Sequence, residues 1–434
     1  MKESANKDAK LSTRRLSFVD LFSGPGGLSL GFKLSGFFEP VAAVESDSKV
    51  AETYKANLGV DVLKKDVGEV DPAELLRQAN EKGYDTIDAV IGGPPCRPFT
   101  TANMGGTRWE KIRERNKIAN GNVEHPDWLS FWQIIKALDP QPRIVVAENV
   151  MGFRNHDDVF SRFLNRLKKH YTTCFRELHA HCFGVPQNRK RLFIVGVRGF
   201  EGDPESILPI NPQLESIKMV TVKEAIGDLP ELSNNSPGTQ ISIYRKGRPT
   251  RFESLMRVDC RVLYDHITHS VHPVMAERFK HIPQGYSLRK AWTDNKIPEA
   301  SMRSQYFKGK VRKHFSQDTL KNIHSHIYRR LRWEFASCTI THVRKTVLIH
   351  PRQDRLISIR EAARLQSFPD WFRFSGSISQ QYQQIADAVP PLLAKAIADH
   401  FGELLTTELQ SAKPIHRSAF DHGYNPLEQV GESY

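Results

Sequence analysis

Short apolar runs alternate with amphipathic stretches along residues 16–150. Residues 16–22 make an apolar run of strand length, closed by Ser23-Gly24-Pro25-Gly26-Gly27. A short helix is predicted from there to Gly36, a residue suited to a left-handed helix stop. Residues 40–44 predict a second strand ending at Glu45, and residues 47–56 a helix. Residues 60–63 read as a third strand, followed by Lys64-Lys65-Asp66, and residues 72–79 as a helix. Residues 86–91 form a fourth strand that runs straight into Gly92-Gly93-Pro94-Pro95-Cys96. Residues 128–138 carry apolar side chains at helical spacing, and residues 143–147 make a fifth strand, followed by Glu148-Asn149-Val150. This alternation predicts a parallel sheet covered by helices on both faces.

Beyond Val150 the rhythm changes. Residues 172–180 and 191–197 predict a strand pair flanking Phe183-Gly184-Val185-Pro186-Gln187-Asn188-Arg189. From 199 to 344 the chain is rich in proline, serine and charge with weak periodicity, which predicts a region of short strands and loops. Helices are predicted again over 359–366 and 391–405. The expected organisation is a large α/β domain over 13–198 and 376–410, a smaller, mostly irregular or β domain over 199–375, and disordered tails over 1–12 and 411–434.

Composition sharpens this picture. The 434 residues are 39% hydrophobic, enough for two cores, and no apolar run approaches the ~20 residues of a membrane span. The polar, basic start lacks the apolar segment of a secretory signal, so a cytoplasmic protein is expected. The five cysteines (Cys96, Cys174, Cys182, Cys260, Cys338) are odd in number and widely spaced, which predicts reduced thiols. Net charge is +13. Between Arg303 and Trp333 nine basic residues stand against one acid, Asp318, with Tyr306, Phe307, Phe315, Tyr328 and Trp333 interleaved. A solvated helical stripe would carry compensating acids, so a nucleic-acid face is expected here.

Ligands of an open parallel sheet bind beyond the carboxyl ends of its strands. The predicted strands deliver to that edge a glycine loop, Glu45, Asp66, Cys96 and Glu148. Gly92 and Gly93 allow a sharp turn and Pro94 and Pro95 stiffen it, which displays the Cys96 thiol as a nucleophile. Gly24-x-Gly26-Gly27 lacks the dinucleotide fingerprint but lets a ligand approach backbone amides at a helix N-terminus. Glu45, eighteen residues after Gly27, is placed to take ribose hydroxyls. An adenosine-containing cofactor without a pyrophosphate cradle is expected, and S-adenosylmethionine fits.

At these residues the chain resembles the cytosine-5 DNA methyltransferases. Phe18-Val19-Asp20-Leu21-Phe22-Ser23-Gly24-Pro25-Gly26-Gly27-Leu28 is similar to the family's first motif. Gly93-Pro94-Pro95-Cys96-Arg97-Pro98-Phe99 is similar to its nucleophile motif, with Arg97 in place of the usual glutamine and Thr100 in place of serine. Glu148-Asn149-Val150 and Gln187-Asn188-Arg189-Lys190-Arg191 are similar to the acid motif and the Gln-x-Arg-x-Arg motif. The stretches 360–369 and 384–391 are similar to the ninth and tenth motifs, the latter with Ala386-Asp387 where Gly-Asn is usual.

The resemblance implies a Rossmann-like S-adenosylmethionine-dependent methyltransferase domain with a smaller target-recognition domain. It implies Cys96, Glu148, Arg189 and Arg191 as catalytic residues. It places Phe22, Gly24, Gly26, Gly27, Leu28, Glu45, Ser46, Asp66, Val67, Pro94, Asp387 and Ala388 around the cofactor. It places Gln187, Arg97, Arg108, Lys308, Lys310, Arg312, Lys313, Arg329 and Arg330 against DNA. The loop over about 100–123 would close over the duplex. The implied partners are double-stranded DNA and, acting separately, a cognate restriction endonuclease, with the enzyme itself a monomer.

His266, His269 and His272 have a metal-like spacing with Cys260 nearby, but no metal is expected. Two other readings stay open. One is a transfer-RNA cytosine methyltransferase of the same fold, which Thr100 favours and the long basic segment between Arg191 and Arg360 disfavours. The other is a DNA-binding homologue without activity, which Asp387 favours and the intact Cys96, Glu148, Arg189 and Arg191 disfavour.

Overall fold

The computed structural model describes residues 14–95, 125–155, 157–212, 218–234, 236–298, 305–307, 310–312 and 328–411. Cys96, Arg97, Arg108, Lys308 and Lys313 lie outside the described residues, as do tail residues 1–12 and 412–434 and the loop over 100–123. Lys310 and Arg312 fall on a short strand paired with Gln305–Phe307, of which only the backbone is described.

The predicted strands appear as β1 (Leu16–Leu21), β2 (Phe38–Val44), β3 (Val62–Leu63), β4 (Ala89–Gly92), β5 (Ile144–Asn149), β6 (Thr172–His179) and β8 (Lys190–Val197), with an unexpected two-residue strand, β7 (Gln187–Asn188), in the segment between the last two. Seven of them form one sheet in the order β3-β2-β1-β4-β5-β8-β6. The first five are parallel, while β8 runs antiparallel to both of its neighbours. The sheet is therefore mixed, and the pair expected after Val150 extends it.

Alternation within the strands decides which helices cover which face. Phe18, Ala89, Ile91, Ile144, Val146, Phe193 and Val195 pack with α1 (Gly27–Leu34) and the helix Pro391–Ser411. Val19, Leu21, Val90, Val145, Ala147, Leu192 and Ile194 pack with the helices Pro72–Glu81, Pro126–Ala137 and Asp157–Lys168. Both faces are buried, as a central parallel sheet requires. Contact between α1 and the last helix is close. A side chain on Gly31 would meet the Pro391 carbonyl and the Lys395 amide at 2.5 Å, so only glycine lets these backbones approach. Among the described residues no helix is long and apolar enough to cross a membrane.

Residues 199–375 depart from the expected strand-and-loop region. They hold short helices, Val222–Ile226, Arg251–Met256, Pro273–Lys280, Leu288–Thr293 and Val343–Thr346, with small strand pairs between them, besides Ile359–Leu365, the helix expected over 359–366. Their apolar core is continuous with Leu30, Ala43, Tyr54, Leu58 and Val60 of the large sheet's side. Ser358 and Glu361 form a capping box at the start of Ile359–Leu365, and seven residues of that helix are buried.

Four of the arginines buried here are structural. Arg364 donates to Asp370 at 2.9 and 2.6 Å and also reaches Asp228, and Arg355 makes two 2.7 Å bonds to Glu361. Arg360 donates to the carbonyls of Tyr264, Pro369 and Phe372. Arg330, expected against DNA, is 5% exposed and donates to the carbonyls of Ile282, Phe279, His350 and Gln353 and to Asp354. That guanidinium cannot reach a phosphate. It serves the core, because five fixed donors are a way to satisfy several buried carbonyls at once. Arg329 beside it is half-buried.

Candidate active site

The register of the sheet lines up the strand ends. Leu63, Val44, Leu21, Gly92 and Ala147 are successive neighbours across β3, β2, β1, β4 and β5. Everything just past that row therefore shares one edge: Asp66, Glu45, the loop 22–26, Gly93-Pro94 and Glu148. The strand order reverses direction between β1 and β4, the point at which open α/β sheets leave a crevice.

The β1 end is shaped by backbone strain. Phe22 has φ 58°, in the left-handed region, and Gly24 and Gly26 have φ 54° and 96°. A non-glycine residue held there costs on the order of 1–3 kcal/mol, a cost seen where a ligand must be cradled. Glu45 fixes the loop from the side: Oε2 accepts from the Gly24 amide at 3.0 Å and Oε1 from the Asp47 amide at 2.8 Å. Burial pushes the Glu45 carboxyl above its ordinary range. Ser46 is exposed beside it. Asp66 is exposed and accepts from the Gly68 amide at 2.8 Å, starting the single turn Val67–Glu69, while the Val67 side chain turns into the core.

Two residues expected at the cofactor have structural duties instead. A side chain on Gly27 would strike the Val389 carbonyl at 2.2 Å, so this glycine is needed for packing against the chain's own C-terminal segment. The Leu28 side chain is buried with Phe32 and Leu393. Only the backbone amides of this first helical turn remain for a ligand.

Beneath the loop lies a polar triad. The Ser29 hydroxyl is 2.5 Å from Asp20 Oδ2 and 2.7 Å from the Tyr54 hydroxyl, and all three side chains are buried. Burial pushes the Asp20 carboxyl from 3.8 up to about 8, with the nearby Glu45 charge adding to the rise. The unfolded chain loses this proton near pH 4 and the folded chain near pH 8. Stability thus declines as pH climbs through that window, by on the order of 1.4 kcal/mol per pH unit from this group. Asp20→Asn keeps an acceptor for Ser29 and removes the proton. Denaturant unfolding at pH 5 and pH 8 should show the variant losing less stability between the two than the parent protein. Equal losses would contradict the assignment.

At the β5 end Glu148 is 9% exposed, and its Oε1 pairs with Arg191 Nε at 2.8 Å. Burial raises the Glu148 carboxyl, and the charges of Arg191 and Arg189 pull it back. Arg191 reaches Glu148 because β8 runs antiparallel to β5, with Phe193 opposite Glu148. A side chain on Gly93 would come within 3.2 Å of Glu148 Oε2, so the glycine leaves the carboxylate its room. Asn149 donates from Nδ2 to the Pro94 carbonyl at 2.9 Å, which ties the β4 loop to the β5 end two residues before Cys96.

The Gln187–Arg191 segment is stitched to the smaller region. Gln187, expected against DNA, is fully buried, accepts from the Ile340 amide at 2.9 Å and donates to the Leu365 carbonyl at 3.0 Å. Arg189 is 1% exposed and donates to the carbonyls of Ile340, Ala386 and Ala388. Its charge is felt at Glu148, yet its hydrogen bonds hold the chain around Ala388 in place. Arg189 is a positioning residue on this geometry. Asp387 is exposed, accepts from Gln383 at 2.8 Å and also raises the Glu148 carboxyl.

The Asp20–Ser29–Tyr54 triad and the contact of Asn149 with Pro94 were not foreseen, although Asn149 follows a candidate acid at a strand end, and Gly93 was expected only to let the chain turn. The histidines His266, His269 and His272 are not gathered around one point for a metal. Both ring nitrogens of His266 are engaged, with Ser358 and the Pro230 carbonyl, and His272 caps the helix Pro273–Lys280.

A family model, C-5 cytosine-specific DNA methylase, matches residues 16–403. The chain is 28% identical to the type II methyltransferase M.DdeI of Desulfomicrobium norvegicum over 88% of both proteins. It is 30% identical to the type II methyltransferase M1.HphI of Haemophilus parahaemolyticus, over 91% of this chain and 88% of that one. Among solved structures, a candidate DNA modification methyltransferase encoded within an Escherichia coli prophage aligns with a TM-score of 0.66 at 25% identity, covering 90% of this chain and 99% of that chain. The S. pombe Dnmt2 methyltransferase shares the fold at a TM-score of 0.50 and 15% identity.

Proposed function

The chain belongs to the C-5 cytosine-specific DNA methylase family, and on that premise we propose that it methylates carbon 5 of a cytosine flipped out of a specific duplex sequence. The observation that carries this reading is the shared edge beyond β4 and β5. There Glu148 is buried against Arg191, and Asn149 holds the Pro94 carbonyl two residues before Cys96.

The residues at the β1, β2 and β3 ends fit S-adenosylmethionine. The left-handed turn at Phe22, Gly24 and Gly26 leaves a concave backbone under the first amides of α1, suited to a carboxylate. Glu45 has both oxygens on backbone amides and lone pairs left for ribose hydroxyls. Phe22, Asp66, Pro94, Asp387 and Ala388 would hold the adenosine part. When bound, the cofactor supplies an electrophilic methyl group on a sulfonium.

Carbon 5 of cytosine is a weak nucleophile, so the chain must activate the ring. The Cys96 thiolate adds to carbon 6 while Glu148 gives its proton to N3, and the ring becomes an enamine nucleophilic at carbon 5. After carbon 5 takes the methyl group, solvent water accepts the carbon-5 proton, the C5–H electron pair restores the ring double bond as the Cys96–carbon 6 bond breaks to release the thiolate, and Glu148 recovers the N3 proton. The raised Glu148 carboxyl suits a proton donor, and Arg191 fixes its orientation. Carbon 6 is unreachable inside a stacked duplex, so flipping is part of the reading. The basic, aromatic stretch from Arg303 to Trp333 supplies phosphate contacts, with Arg329 and the lysines near it rather than Arg330.

The two relatives carry the name type II methyltransferase, and we infer on that likeness a role beside a separate restriction endonuclease; a monomer in a prokaryotic cytoplasm is part of the same proposal. The test is transfer of label from S-adenosylmethionine to duplex DNA or to transfer RNA, with Cys96→Ala in parallel. Label should enter DNA and be lost in the variant. Label entering RNA alone, or persisting in the variant, overturns the reading.

A further inference from the structure

Strand β6 ends at His179, and the chain then makes one tight turn, Ala180–Phe183, closed by Gly184 at φ 77°. That turn brings His179, His181 and Cys182 together, with one donor atom from each within 4.8 Å of the others. This is the one group of three or more such side chains so gathered among the described residues. We propose that His179, His181 and Cys182 bind a soft divalent transition-metal ion, zinc or a close relative, at the root of the strand that carries Arg189 and Arg191.

The donor set selects the metal. Two imidazoles and a thiol suit zinc, cobalt or nickel, whereas magnesium and calcium need an oxygen cage that is not offered here. Ligands of a tetrahedral ion, at about 2.0–2.3 Å from it, stand roughly 3.3–3.8 Å apart, so the observed separation closes by small rotations. Three protein ligands leave one coordination position, and His179 is partly exposed, so that position opens towards solvent.

A second observation points to the same ligand. His181 is 6% exposed, yet its Nδ1 has no hydrogen-bond partner. A buried nitrogen without a partner costs about 1–3 kcal/mol, a cost that coordination removes. The rings of His179 and His181 stand 5.6 Å apart at 46°, with edges free to converge rather than stacked face to face. Glu177 Oε1 lies 2.7 Å from His179 Nε2 and 2.8 Å from Lys190 Nζ. A carboxylate beside a metal-binding imidazole commonly fixes its ring orientation. Binding converts the Cys182 thiol to a thiolate and releases its proton to solvent.

The position gives the ion a consequence for the rest of the fold. His179 and Leu178 pair with Lys190 and Arg191 across β6 and β8, and the Ala180 amide donates to the Arg189 carbonyl at 2.8 Å. An ion on this turn would staple the end of β6 beside the start of β8, from which Arg191 is held towards Glu148.

Metal-stripped full-length protein titrated with cobalt(II) should take up one equivalent and develop a thiolate-to-cobalt charge-transfer band, which zinc bleaches and magnesium leaves unchanged. Cys182→Ser should abolish the band. His179→Gln, at a partly exposed position that spares the core, should weaken cobalt binding at least tenfold while leaving the metal-free melting temperature unchanged. Absence of the band, its survival in Cys182→Ser, or unchanged affinity in His179→Gln overturns the proposal. None of these readouts depends on methyl transfer.

Discussion

Glu148→Gln should lower methyl transfer about 10²–10⁴-fold while leaving the melting temperature and cofactor affinity nearly unchanged. Glutamine fills the same space, keeps an oxygen for the 2.8 Å contact from Arg191, and lacks only the exchangeable proton. Glu148 lies at the β5 end beside Gly93, whereas the residues fitted to the cofactor lie at the β1, β2 and β3 ends, so binding there should persist. The pH dependence adds a second signature. Burial raises the Glu148 carboxyl and the Arg191 charge restrains it, so the proton-donating form is lost as pH rises through that shifted value. Single-turnover rates in the parent protein should fall on the alkaline side, and Glu148→Gln should lack that limb. Arg191→Met removes the restraint and should move the limb to higher pH. A Glu148→Gln enzyme within threefold of the parent rate would remove Glu148 from the chemistry.

Arg364→Met should destabilise the fold by about 3–5 kcal/mol without touching the active-site residues. Arg364 is fully buried and is the common partner of two carboxylates. It holds Asp370 through two bonds at 2.9 and 2.6 Å and Asp228 through both Nη atoms, and it also donates to the Ala225 carbonyl at 3.0 Å. Its removal strands those acids. Asp228 keeps Arg257, and Asp370 keeps the Tyr244 hydroxyl at 2.7 Å, but neither contact replaces a shared central cation. Adding Asp370→Asn should recover part of the loss, since one buried charge is then neutralised. Denaturant unfolding of the single and double variants measures this. A cost under 1 kcal/mol for Arg364→Met, or a double variant less stable than the single one, would contradict the network.

The two cases show what was legible in the sequence. Strand ends were readable because each apolar run stops at a residue of distinct chemistry: Glu45, Glu148 and the glycine loop. The reversal of β8 was not readable, because a strand buried on both faces reads the same in either direction. Gln187 was expected against DNA from its motif, and Arg330 from the basic stretch around it. Both are buried because β7 pairs with Ser337–Cys338, and because Arg330 lies between the Ile282 and His350 carbonyls. Partnerships across more than a hundred residues, such as Gln187 with Ile340, have no local signal.

The short helices of residues 199–375 had one. Thr221 with Glu224, Thr250 with Glu253, and Ser358 with Glu361 are capping boxes, visible as a hydroxyl residue three before a glutamate. Weak apolar periodicity hid the first two, since helices of five or six residues are held by burial rather than by propensity, whereas the helix over 359–366 was expected. Glycines misled in the other direction. Gly27 sits in a ligand-binding motif, yet its missing side chain serves the Val389 carbonyl.

The central claim is that a thiol on the loop after β4 attacks carbon 6 of the target base, with Glu148 as its acid. Duplex DNA carrying 5-fluorocytosine at the methylated position tests it most directly, because fluorine cannot leave carbon 5 as a proton does. With S-adenosylmethionine present, the account predicts a denaturation-resistant protein–DNA adduct whose peptide map places the bond at Cys96, and no adduct from Cys96→Ala. An enzyme that methylates ordinary DNA but forms no such adduct, or forms it through another residue, would contradict the account.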